Sequence, residues 1–466
     1  MLETMGWISL IPVFLAIVLA VITKDTIFSL IVACITGCFL AGKGAFGFTD
    51  LIQSALGNGD FIWALLCVLP FGVLVAFFQK SGAIEGFTQY MNKRELGRKK
   101  TQLCAWALGL FCFADSLSPL FVGTTMRRLS DKAKISREKL AYISDSTGAC
   151  VSVVYPFTGW SSYLAGLAVG IGCIATVTDG QMLMLKAIPL NFYALLTIVM
   201  TGLIAAGVIK DYGPMKKAEK RAAETGAVLG EQANPLVSRE LSEMQKSDKL
   251  KIRIGLNFVL PTVLLFVLSL GSFFVLGGVK VVETVVFIVI LMSISFLIQG
   301  MPLKELADTF MDGVKGIMPA LLVLALAYCL NALSAEMGTA NFIINATERF
   351  FVPQLLPFII FVVTALMSFS TGTSWGSFAI CMPLALPLAF SATNNEVTLL
   401  VVACFAAVAG GGTFGDHCSP ISDTTIMSSM GAASDHVDHV KTQIPYAITT
   451  AALTAAAYLI IGFIAA

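Results

Sequence analysis

The chain has 466 residues, 57% of them hydrophobic and only 13% charged, and its mean hydropathy is +0.84. A soluble enzyme of this length carries about twice that charged share, so the composition excludes a soluble fold and indicates an all-α polytopic membrane protein. A net charge of +1 excludes a nucleic-acid partner, and the basic residues are informative through their positions instead.

The opening run at 6–22, GWISLIPVFLAIVLAVI, has no basic leader and no small-residue cleavage site, and reads as a retained span. Spans at 27–42 and 61–79 follow. Three short stretches then hold 21 of the 30 Lys and Arg: 93–100, 127–139 and 210–253. The positive-inside rule places all three in the cytoplasm and the N-terminus outside. Only 26 residues separate the first two stretches, enough for one crossing but not two. The segment at about 101–125 must therefore enter and leave on one face, as a re-entrant hairpin with its tip at Asp115-Ser116-Leu117-Ser118-Pro119. By the same parity, 140–175 and 186–209 are both crossings, and the first is a discontinuous helix interrupted at Tyr155-Pro156-Phe157-Thr158-Gly159. Residues 210–253 form a charged cytoplasmic linker, read as a solvated surface helix.

Spans at 254–276, 281–299, 313–333 and 444–465 belong to a second half, with a hairpin at about 353–390 and a broken helix at 397–430. The halves, 1–209 and 254–466, align at an offset of 256. Gly57 matches Gly313, Ala64-Leu65-Leu66 matches Ala320-Leu321-Leu322, Gly82 matches Gly338, and Ser118 matches Ser374. An eight-residue insertion brings Pro156 onto Pro420. Five crossings separate corresponding points, so the copies form an inverted-topology repeat of about ten crossings, two re-entrant hairpins and two discontinuous helices. The outer tip is Ser370 to Gly376, and GGGTFGDHCSPISDTT at 410–425 is read as the second helix break.

Interrupted helices expose carbonyls that survive in a bilayer only inside protein or along a wet cavity, and the polar residues concentrate at these interruptions. The candidate ion- or substrate-binding residues are Asp115, Ser116, Ser118, Asp145, Thr147, Thr371, Gly372, Thr373, Ser374, Asp416, His417, Ser419 and Asp423. Hard oxygen donors of this kind suit Na⁺, which we place at Asp416, Asp115 and Thr373. A carboxylate at mid-span costs about 2.5–3.5 kcal/mol on insertion scales, so Asp416 needs a function to be retained. One such group can hold either Na⁺ or a proton, which is antiport chemistry in minimal form. His417 reads either as a proton relay or as a satisfied core histidine. The Asp435-His436-Val437-Asp438-His439 stretch reads as a solvated cytoplasmic loop. Gly37 to Lys43 imitates a phosphate-binding loop but continues with Gly44, so no nucleotide and no cofactor other than Na⁺ as coupling ion is expected.

Through Gly410 to Thr425, with Ser370 to Gly376 and Phe113 to Pro119, the chain resembles the NhaC family of Na⁺/H⁺ antiporters within the ion transporter superfamily. The resemblance implies a homodimeric scaffold in the bacterial cytoplasmic membrane and elevator-like movement of the hairpin-bearing part. It also implies a secondary transporter, not an enzyme, working on Na⁺ and H⁺. Similar proteins include malate/lactate exchangers and amino-acid carriers, so Na⁺-coupled transport of a small organic solute is the alternative. An intramembrane aspartyl protease using Asp115 and Asp416 would have no use for a duplicated hairpin.

Overall fold

Long apolar runs with few charges can satisfy their backbone only internally, and the computed structural model is accordingly helical. It describes residues 5–465 except 24, 45, 58, 84–85, 87–96, 112–116, 157, 237–243, 277–279, 340–341 and 343–351. In chain order the helices of the first half are α1 (Ile11–Thr23), α2 (Thr26–Leu40), α3 (Gly47–Leu56), α4 (Gly59–Lys80), α5 (Arg98–Phe111), α6 (Leu117–Lys132), α7 (Arg137–Ser152), α8 (Gly159–Leu167), α9 (Val177–Ala187) and α10 (Phe192–Ala205). The linker contributes α11 (Gly213–Thr225). The second half holds α12 (Leu260–Leu276), α13 (Val281–Ile298), α14 (Leu303–Glu336), α15 (Leu356–Thr371), α16 (Ser374–Ala392), α17 (Leu399–Cys418), α18 (Asp423–Ala432) and α19 (His436–Ala465). No strand occurs among the described residues beyond an isolated bridge between Pro235 and Asp435. Four of these helices are each long and apolar enough to cross a membrane, and two bent helix pairs bring the number to six.

Both halves run in the same order, a helical hairpin followed by a broken helix. The first arm of each hairpin packs on the long piece of the broken helix in its own half, α5 on α7 and α15 on α17. The second arm reaches across to the short piece in the other half, α6 to α18 and α16 to α8. The buried apolar residues form two clusters, and the broken helices pass between them. Leu140 to Ile143 of α7 lie in the first cluster, whereas Ala149, Cys150 and Val153 lie in the second. Val408 and Ala409 of α17 lie in the second cluster and Ile421 and Ile426 in the first. The intervening residues, 144–148 and 410–420, are small or polar apart from Phe414, which packs on the second cluster, and mark the seam between the cores.

Two expectations are corrected here. The linker helix α11 is docked and not merely solvated: Met215, Ala218, Glu219 and Ala222 are buried. Glu219 pairs with Arg98 at 2.5 Å and accepts from the Ser136 backbone at 2.8 Å, while Arg221 donates to Glu138 at 2.8 Å. Lys139, fully buried, pairs with Asp211. Ion pairs closed on one side by protein are screened less than solvated ones, which explains how so charged a segment docks. The second correction concerns 435–439, which is no solvated loop: Asp435, His436 and His439 are buried at the start of α19. The linker covers this stretch, with the Asn234 backbone donating to Asp435 at 2.8 Å.

Candidate functional site

The outer hairpin turns at Gly372, whose φ of +69° is readily adopted only without a side chain, and whose N–H returns to the Ser368 carbonyl at 2.8 Å. A Cβ at Gly372 would come within 2.6 Å of the Ile421 carbonyl, so the tip rests directly on the second helix break. That break is shorter than the glycine-rich sequence implies. Residues 410–418 stay helical, and only Ser419-Pro420-Ile421-Ser422 separates α17 from α18. Glycines 411, 412 and 415 make room for neighbours and do not end the helix. A Cβ at Gly411 would lie 2.6 Å from the Phe361 carbonyl, and one at Gly415 would collide with the Phe369 backbone. Ser368 donates to the Gly412 carbonyl at 2.7 Å and Ser419 to the Phe369 carbonyl at 2.8 Å, stitching hairpin to helix.

This packing fixes Asp416 in the last turn of α17, 1% exposed. One carboxylate oxygen accepts from the Ser422 hydroxyl. The other has no hydrogen-bond partner among the described residues. Ser422 also caps α18, accepting from the Thr424 backbone at 3.2 Å. Ser374, at the first position of α16, is buried beside Asp416, within weak hydrogen-bonding reach of its carboxylate and with no other partner among the described residues. Half-buried Thr373 precedes it, and Asp423 stands in the first turn of α18 within electrostatic range of Asp416. An unpaired carboxylate oxygen, a neighbouring hydroxyl and a carbonyl-bearing break form a set of hard oxygen donors. A buried anion without a counter-charge is costly, and a small cation is what such a set accommodates.

The other predicted residues divide. Asp115 and Ser116 lie outside the described residues. Ser118 is buried in the first turn of α6 without a hydrogen-bond partner of ordinary geometry among the described residues, as is its match Ser374 in the other hairpin. Thr147 spends its hydroxyl on the carbonyls of Ile143 at 2.8 Å and Ser144 at 3.2 Å, and Thr371 spends its own on Met367 at 2.9 Å. His417 is the satisfied core histidine, held by Tyr193 at Nδ1 and Ser146 at Nε2, each 2.9 Å away. Asp145, within electrostatic range of Asp416, has its own partners and is fully buried against Gln443 at 2.9 Å and His439 at 3.3 Å. Trp375 and Trp160 stack edge-on at 6.2 Å between centroids, with Tyr163 4.8 Å from Trp375. Sequence reasoning missed Ser422, Gln443 and His439. The serine just before Asp423-Thr424-Thr425 is a helix-cap signal that identifies Ser422; Gln443 carries no local signal.

The arrangement is that of a multi-pass membrane transport protein. The chain belongs to the Na⁺/H⁺ antiporter family, which it matches over residues 151–463. It is 32% identical over 492 aligned positions to an uncharacterized protein of Haemophilus influenzae, spanning 98% of this chain and 91% of that one. It is 30% identical over 179 residues, 37% of each chain, to an uncharacterized Na⁺/H⁺ antiporter of the same organism. A malate-2H⁺/Na⁺-lactate antiporter of Bacillus subtilis is 25% identical over 164 residues, 35% of this chain and 34% of that one. The protein is therefore a secondary transporter and not an enzyme.

Proposed function

We propose that the protein exchanges Na⁺ for H⁺, with the cation held at Asp416 between the outer hairpin tip and the second helix break. The observation that carries this reading is the unpaired Asp416 oxygen beside the Ser374 hydroxyl, both buried. Thr373, next to Ser374, and Asp423, within electrostatic range of Asp416, would add oxygens, and Asp115 would contribute from the inner tip. The duplicated order of hairpin and broken helix, with its reciprocal packing, supports an inverted repeat of two halves, 1–209 and 254–466, with about ten crossings. Seated on the seam between two cores, the pocket would be carried by elevator-like sliding of the hairpins against a homodimeric scaffold in the bacterial cytoplasmic membrane.

A second reading, Na⁺-coupled transport of a small organic solute, is favoured by the Trp160, Tyr163 and Trp375 cluster next to the tip and by the likeness to a malate/lactate antiporter. Proteoliposomes with an imposed Na⁺ gradient and an internal pH dye separate the two. Sodium-dependent alkalinisation or acidification without added solute is expected. Uptake of labelled lactate, malate or an amino acid with no sodium-dependent pH change would establish the second reading instead.

A further inference from the structure

The chain has three histidines, and all three are buried around the second break. Two are fully employed. His417 has a partner on each ring nitrogen, as described. His436 Nε2 donates to the Pro420 carbonyl at 2.7 Å, and its Nδ1 lies 3.0 Å from the Ser429 hydroxyl, which ties α19 to the break. His439 is different. With Ser428 donating to the Thr425 carbonyl at 2.9 Å, the tautomer that fits has His439 Nε2, 3.1 Å from the Ser428 oxygen, as the donor. Nε2 therefore carries the hydrogen and also faces Asp145 Oδ2 at 3.3 Å. The remaining nitrogen, His439 Nδ1, makes no hydrogen bond of ordinary geometry, the Glu138 backbone being the ring's other polar neighbour, and Asp145 Oδ1 has no partner among the described residues. The pair can accept a proton at either atom without breaking a hydrogen bond already made.

Among the described residues, no Lys or Arg is a named partner of Asp145. Facing it from α17 are His417, Cys418 and the more distant Asp416; from α19, His436 and the neutral amide of Gln443; from its own helix, Cys150. Across α10, Tyr193 is engaged with His417. The basic groups nearest in sequence are already engaged, Lys139 with Asp211 and Arg137 with Asp131, and Lys441, two residues beyond His439, has an interaction of its own. His417 and His436 already hold a partner on each ring nitrogen, so the compensating proton for an ionised Asp145 is assigned to its own pair with His439.

We infer that Asp145 and His439 form a proton-carrying pair separate from the cation pocket at Asp416. The two sites share no ligand but are physically joined. Thr425 donates to the Asp416 carbonyl at 3.1 Å while its own carbonyl receives Ser428, and Gln443 bridges Asp145 to the His417 carbonyl. A proton on the pair is in this way coupled to the geometry of the break. The inference rests on the Na⁺/H⁺ exchange reading and goes beyond competition of both ions for one carboxylate.

The test uses reconstituted full-length protein carrying Asp145→Asn or His439→Gln, with Asp145→Glu as the conservative variant. Two fluxes are read, ²²Na⁺ counterflow at equal pH, which needs only the cation pocket, and ²²Na⁺ uptake driven by a pH difference. We expect counterflow within about twofold of wild type while pH-driven uptake falls about tenfold or more, an ordinary coupling magnitude. Asp145→Glu should recover part of it with a displaced pH profile. Retention of both fluxes in Asp145→Asn and His439→Gln places the proton elsewhere and overturns the assignment. Equal loss of both in folded, monodisperse protein makes Asp145 part of the cation pocket and overturns the separation. Wild-type protein that shows counterflow but no pH-driven uptake, or neither, fails at the exchange reading itself and removes the inference with it.

Discussion

The two helix breaks, each following a pair of packed helices in its half of the chain, have opposite chemistry. In the first, between α7 and α8, polar groups close on one another: Thr158 donates to the Ser152 carbonyl, Ser161 to the Tyr155 carbonyl at 2.6 Å, and Tyr155 to the Leu110 carbonyl at 2.9 Å. In the second, the alignment that sets Pro156 on Pro420 also sets Ser152 on Asp416 and Thr158 on Ser422. Ser152 merely returns its proton to the Gly148 carbonyl at 2.9 Å, whereas Asp416 keeps an oxygen open. Interrupting a helix in a membrane therefore does not by itself make a site. A break that satisfies its own carbonyls is architecture, and one that leaves an anionic oxygen unpaired is a place for a cation.

Substitutions at matched positions bear on that contrast. The largest effect is expected for Asp416→Asn, which removes the charge but keeps the shape. Sodium-driven proton flux in proteoliposomes should fall at least about 100-fold, the equivalent of about 2.7 kcal/mol. Ser422→Ala takes away a hydroxyl bonded to that carboxylate and should weaken apparent Na⁺ affinity by about 1.5–3 kcal/mol, or more than about tenfold, read from the half-saturating Na⁺ concentration. Gly415→Ala forces a methyl group against the Phe369 backbone and should cost about 1–3 kcal/mol, seen as a lower thermal midpoint; Gly166→Ala, whose Cβ would meet nothing within 4 Å, should not. Thr158→Ala, the partner of Ser422 in the first break, should cost only about 1 kcal/mol of stability as a lost helix cap and leave the half-saturating Na⁺ concentration unchanged. Equal effects of Ser422→Ala and Thr158→Ala on Na⁺ affinity would erase the distinction between the breaks.

Much of this arrangement is legible in the chain because its signals are local. The outer hairpin expected at 353–390 spans α15 and α16, Leu356 to Ala392, and the interruption expected at 155–159 falls between Ser152 and Gly159. Proline and hydropathy mark both within a few residues. What eludes a linear reading depends on neighbours distant in sequence. Glycines 411, 412 and 415 look like helix breakers but are contact points for a hairpin about 50 residues earlier, a distinction that only packing makes. His436 and His439 sit in a polar, charged stretch but find their partners on Pro420, α18 and α7, with the linker bonded to neighbouring Asp435, and Gln443 meets Asp145 across 298 residues of chain. Among the predicted site residues, Ser374 lies beside Asp416, whereas Thr147 and Thr371 turn back to carbonyls of their own helices and Ser419 donates across to the Phe369 carbonyl, a use of hydroxyls that composition cannot distinguish from ligation.

Direct ²²Na⁺ binding to the purified protein, followed by scintillation proximity in the absence of any gradient, tests the assignment of the second break most closely. Saturable binding is expected for wild type and for Asp145→Asn, and none for Asp416→Asn. Undiminished binding by Asp416→Asn would contradict the account, because the open carboxylate oxygen would then hold no cation.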